Sequence, residues 1–137
     1  MLDHSFRLKP TQDLYGEIEA FVVENNIEAG VLLCAVGSLI HATLRLANRS
    51  FYTEYDGHFE IVSITGTVSV HGSHIHISIS DGDGNTIGGH LVPGCKIYTT
   101  AEIVIGILDD VVYKREFATD SGYDELVVYK KQALGRD

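Results

Sequence analysis

Hydrophobic and polar positions alternate with a period of two along most of the chain, and with a helical period in one short stretch near its start. Phe6 and Leu8 alternate with Arg7 and Lys9, which predicts a strand over Ser5 to Lys9 with one wet face, ended by Pro10. Thr11 then stands where an N-cap belongs. Asp13 and Glu17 suit the first turns, and Leu14, Ile18, Phe21 and Val22 recur at helical spacing, so a helix is expected from about Gln12 to Asn25. Gly16 inside it costs roughly 1 kcal/mol relative to alanine. From Gly30 onward, β-branched and aromatic residues come in short runs broken by Gly, Asn and Asp. These runs predict strands near 31–37, 39–47, 50–55, 59–71, 73–80, 86–92, 97–108, 111–119 and 124–130, some of which should merge. With short connections and one helical pattern, the expected fold class is α+β: an antiparallel-rich sheet with one principal helix on one face. A single domain over 1–137 is expected, with 131–137 as a frayed tail.

The cleanest alternation carries the candidate chemistry. Over His74 to Ser80, a strand puts Ile75, Ile77 and Ile79 on one face and His74, His76, Ser78 and Ser80 on the other. The run from Asp81 to Asn85 is a concentrated turn signal. If the reversal centres on Asp83 or Gly84, the returning strand Thr86 to Leu91 brings His90 opposite His76, to within one residue. Gly88 and Gly89 are read as a possible bulge that aims His90 onto the His74/His76 face. Three imidazoles on one face supply three nitrogen ligands for a transition metal and leave a fourth position open; zinc is the first choice, because imidazole suits it. The plainer alternative is a polar, metal-free face. His4, His41, His58 and His71 lack this convergence and read as structural or surface residues.

Composition narrows the function. Ten Lys+Arg against nineteen Asp+Glu give a formal charge of −9, which opposes direct binding to phosphate backbones. The longest apolar runs are about six residues, against roughly twenty for a membrane-spanning helix, so no membrane segment is expected. The start of the chain lacks a basic region followed by an apolar one, and a cytoplasmic location is the expectation. Cys34, inside the run Val31 to Val36, reads as a small buried hydrophobe; Cys95 follows Gly94 with no readable activating partner. An open three-histidine site can bring the pKa of a bound water to about 7. Hydrolytic chemistry would then need a nearby carboxylate, for which Glu60 and Glu102 are the candidates. The glycines at 82–84 and 88–89 precede no helix, so the dinucleotide-loop reading fails.

Five segments in order, Gly57-His58-Phe59-Glu60-Ile61, Ser63-Ile64-Thr65-Gly66, His74-Ile75-His76-Ile77-Ser78, Asp81-Gly82-Asp83-Gly84 and Gly88-Gly89-His90-Leu91, resemble the plants-and-prokaryotes-conserved (PPC) domain. This is the module that follows AT-hooks in plant nuclear proteins, and the resemblance runs from Phe6 to about Lys130. It implies a compact α+β fold that assembles as a homotrimer; prokaryotic members resemble this chain in standing alone without an AT-hook, and some carry a metal, usually taken as zinc, on histidines matching His74, His76 and His90. In plant members a Gly-Arg-Phe-Glu-Ile segment is linked to partner-protein contacts. Gly57, Phe59, Glu60 and Ile61 match it here, while His58 replaces the arginine. No Arg-Gly-Arg-Pro hook occurs, so the plant DNA-binding function does not transfer. The leading expectation is a non-enzymatic, trimeric, zinc-binding module for protein interaction or small-ligand sensing. The alternative is a zinc-dependent hydrolase or lyase using Glu60 or Glu102 as acid/base, and a DNA-binding-associated role is the weakest.

Overall fold

The period-two stretches form eight strands and the helical stretch one helix in a computed structural model of the chain, which describes residues 2–132. In chain order these are β1 (Leu2–Leu8), α1 (Leu14–Glu24), β2 (Gly30–Arg45), β3 (Tyr52–Val68), β4 (His74–Ser80), β5 (Thr86–Leu91), β6 (Lys96–Ile107), β7 (Val111–Ala118) and β8 (Tyr123–Lys130). Every pairing between these strands is antiparallel, and the fold class is α+β, as the patterning predicts. The expected strands 31–37 and 39–47 merge into β2, and 50–55 joins most of 59–71 as β3. Irregularities in register absorb the breaks, one of them between Leu39 and His41.

Six strands lie in the order β1-β6-β2-β3-β4-β5. Strand β2 is long enough to serve two partners on one edge. Its residues from Gly30 to His41 pair with β6, while Leu44 and Arg45 pair with Leu91 and His90 of β5. That last pairing closes β2, β3, β4 and β5 into a small ring with Leu39, Leu44, Ile75, Ile79, Leu91 and Ile97 fully buried. Burial of each such side chain contributes about 1.5–3 kcal/mol.

Helix α1 lays Leu14, Ile18 and Val22 into the core. Its N-cap is Asp13, not Thr11. The Asp13 backbone is extended and its Oδ2 accepts the Gly16 N–H at 2.8 Å, whereas Thr11, two residues earlier, takes a left-handed φ of 74°. Cys34 also departs from expectation. The register of β2 against β6 slips between Leu32 and Cys34, so Leu32 and Ala35 face the core and Cys34 is left half-buried.

Strands β7 and β8 form a separate two-stranded hairpin. Its root is tied to the body: the Tyr113 N–H donates to the Glu28 carbonyl at 2.9 Å, and buried Ser69 Oγ lies 2.9 Å from the carbonyls of both Glu28 and Tyr113. Lys131 is also held, its N–H donating to the Asp110 carbonyl at 3.0 Å. The rest of the expected tail, 133–137, lies outside the described residues. Among the described residues, no helix is long and apolar enough to cross a membrane.

Candidate metal centre

Alternation along β4 places Ile75, Ile77 and Ile79 in the core and leaves His74 and His76 on the outer face. His90 reaches that face by plain register. Ser80 pairs with Thr86 around the turn, and the ladder runs without a slip to His76 opposite His90. The bulge expected at Gly88-Gly89 is absent. The two glycines serve a different purpose, since a Cβ on Gly88 would lie 2.7 Å from the Ile77 carbonyl oxygen and one on Gly89 2.8 Å from that of Arg45. They let β5 approach β4 on one side and β2 on the other.

The three imidazoles have one ligand atom each within 4.8 Å of the others. The Nε2 atoms of His74 and His76 are 3.2 Å apart, close to the roughly 3.3 Å that separates ligands of a tetrahedral centre with bonds of about 2.0–2.1 Å. His90 Nδ1 is buried with no hydrogen-bond partner among the described residues, an arrangement that is costly unless something else engages that nitrogen. Donor type, spacing and the orphaned nitrogen therefore all fit a zinc-like ion. Burial, followed by His74, Arg45 and His76, pushes the His90 pKa down to about 4. Burial, then His76 and Arg115, lowers that of His74 against the opposing pull of Glu125. Both rings are thus kept neutral at pH 7, the form that offers lone pairs to a metal.

The sequence pattern does not signal the wall beside these rings. A cleft of about 250 Å³ is lined by His74, His90, Arg45, Ser73, Arg115 and the start of β8, Tyr123 to Glu125. Arg45 lies directly opposite His90 across β2 and β5, and Arg115 reaches in from β7. Sequence periodicity predicts β7 and β8 as strands but carries no signal for where their hairpin docks, and the β2–β5 closure is equally silent.

Other expected site residues are dispersed. Glu60 pairs with Ser80, four residues along β4 from His76, or roughly 13 Å at about 3.3 Å per residue. Glu102 pairs with Arg7 and Val36 at the far side of β2. Neither is brought to the histidines, and the carboxylates that share their cleft are Asp124 and Glu125. In the segment 57–61, Phe59 and Ile61 are buried in the core and Glu60 is exposed beside His58 and Tyr98. His41 holds two carboxylates, with Nδ1 2.6 Å from Asp56 and Nε2 3.2 Å from Glu54.

Comparison with known proteins gives a consistent picture. The sequence profile of the Plants and Prokaryotes Conserved (PCC) domain matches residues 1–109. A bifunctional GlmU protein of Synechococcus is 42% identical over 127 residues, which are 93% of this chain and 20% of that protein. The chain thus spans about a fifth of the length of that curated relative. A hypothetical protein of Salmonella superposes with a TM-score of 0.94 at 37% identity, covering 96% of this chain and 95% of the other. A metal-containing protein of Archaeoglobus fulgidus superposes with a TM-score of 0.76 at 24% identity, covering 93% and 94%; at that identity it attests the fold.

Proposed function

This chain belongs to the Plants and Prokaryotes Conserved domain family, and on that premise we propose that it is a zinc-binding module whose metal presents an open position to a ligand. The observation that carries the reading is the convergence of His74, His76 and His90, with two Nε2 atoms 3.2 Å apart and a buried, unpartnered Nδ1 on the third ring. A solved structure of the same fold is described as metal-containing, which supports it. Bound zinc would supply a Lewis acid with a vacant position. The chain's own contribution is to hold three histidines on one face of adjacent antiparallel strands, anchored by Ile75, Ile77 and Ile79 in the core on the other face.

Assembly as a homotrimer belongs to the same proposal. Leu33 and Val36 of β2 and Val62 of β3 are exposed at 47%, 58% and 59%, and association of copies would cover them. The role proposed for the assembly is ligand sensing or protein interaction. A hydrolytic role is the second reading. The one observation in its favour is that Asp124 and Glu125 border the histidine cleft, where a carboxylate could move a proton.

The test is metal content per chain on untagged protein, measured by plasma mass spectrometry beside a variant in which His74, His76 and His90 are alanine. Near-stoichiometric zinc in the parent and none in the folded variant supports the reading. Equal, negligible metal in both after zinc is offered would overturn it. Sedimentation equilibrium tests assembly in parallel, and a stable monomer at micromolar concentration would remove the trimer.

A further inference from the structure

Antiparallel pairing puts directly opposed residues on one face of a sheet. Around the closed ring this makes a transverse row: Thr65 on β3, His76 on β4, His90 on β5 and Arg45 on β2. The neighbouring row holds Thr67 opposite His74, and Arg115 Nη2 donates to Thr67 Oγ1 at 3.0 Å. Two guanidinium groups therefore flank the histidines from two sides, Arg45 from the ring and Arg115 from the hairpin. Both are half-buried, and neither forms an ion pair among the described residues. Arg115 spends one hydrogen bond on Thr67, which fixes its position and leaves further donors of its planar fork unused.

Asp124 and Glu125 also line the cleft but are exposed, so water screens them more than it screens the half-buried arginines. With those two carboxylates set against the two guanidiniums, the side chains cancel, and a divalent metal would leave the cleft positive. A half-buried, unpaired guanidinium beside a metal is the donor set that recognises a planar or tetrahedral oxyanion. The volume of about 250 Å³ admits only a small one.

We infer that the ligand of this site is a small oxyanion, a carboxylate or phosphate group, whose one oxygen faces the metal position while Arg45 and Arg115 take the others. The inference rests on the zinc-site reading of the preceding section. It adds a ligand class, and assigns Arg45, together with a hairpin residue beyond the stretch matched by the family profile, as specificity-determining residues.

The experiment uses the full chain loaded with cobalt(II), a spectroscopic substitute for zinc. Bound cobalt per chain is measured first, and then the visible absorption is followed while acetate or inorganic phosphate is titrated in. The expected result is about one cobalt per chain and a saturable spectral change with at least one of the two anions, the stronger of which identifies the carboxylate or phosphate class. Arg45→Met and Arg115→Met should keep the cobalt, retain a native circular dichroism spectrum and bind that anion about tenfold or more weakly. Arg115→Lys, which keeps the charge but loses the fork, should fall between. Stoichiometric cobalt with no response to either anion would overturn the ligand assignment alone, as would a response that both methionine variants retain. A spectrum altered by Glu125→Gln in the absence of anion would overturn it too, by assigning the open position to that carboxylate. Failure to bind cobalt would overturn both readings.

Discussion

His90 faces His76 directly across the β4–β5 pairing, and its strand is pressed so close to β2 that a Cβ on Gly89 would sit 2.8 Å from the Arg45 carbonyl oxygen. The position of the third imidazole therefore depends on a neighbour with no side chain. Gly89→Ala is expected to push β5 away from β2, move His90 and lower zinc affinity by about tenfold, with circular dichroism unchanged. Competition with a chromophoric chelator measures it, and unchanged affinity would show that β5 has room to spare.

Asp13 joins two parts of the chain. One carboxylate oxygen caps α1 through the Gly16 N–H, and the other accepts the Gly94 N–H at 2.7 Å. Asp13→Ala removes both acceptors and should cost about 1–2 kcal/mol of stability, while Asp13→Asn should recover part of it. Urea denaturation of the two variants against the parent gives the comparison.

The two cysteines should separate chemically. Cys95 is fully buried, donates to the Thr43 carbonyl at 3.3 Å, and burial pushes its thiol up to about 11. Cys34 is half-buried. A thiol reagent at pH 8 is expected to modify one site per native chain, Cys34, and two after denaturation. The same shift makes stability pH-dependent. The folded chain holds the Cys95 proton that the unfolded chain releases from about pH 9, so this contribution is complete below pH 9 and declines as pH rises toward 11. Cys95→Ala should flatten that alkaline decline, as followed by thermal melts across the range.

Ser69 fastens the hairpin that carries Arg115 and Glu125. Its hydroxyl is buried between the carbonyls of Glu28 and Tyr113, and the His71 N–H donates to it at 3.1 Å. Ser69→Ala should cost about 1–3 kcal/mol locally. Faster amide exchange is then expected in β7 and β8 than in the parent, with β4 and β5 unaffected. Equal protection in both proteins would assign the docking to other contacts.

The three histidines were legible in the sequence because period-two alternation, a dense turn signal and a short return strand are local facts. Their ladder needed only a register, and the hairpin at Asp81 to Asn85 supplied it. The pair Gly88-Gly89 suggests a bulge locally, because nothing near it in sequence signals that β2 returns to the far side of β5. Nothing local marks Arg45 and Arg115 either: the nearest of the rings they flank are 29 and 25 residues away in sequence, and long-range closure brings them in. Thr11 suits a cap by residue type alone, whereas its left-handed backbone hands that place to Asp13. Cys34 sat in an apolar run whose alternation a register slip interrupts.

Whether His74, His76 and His90 hold one metal ion is decided by an anomalous difference map from crystals of the zinc-loaded protein, with data at the zinc edge. A single strong peak bonded to all three rings at about 2.0–2.1 Å is expected. A map with no peak there, or one whose zinc lies instead at His41 between Asp56 and Glu54, would contradict it.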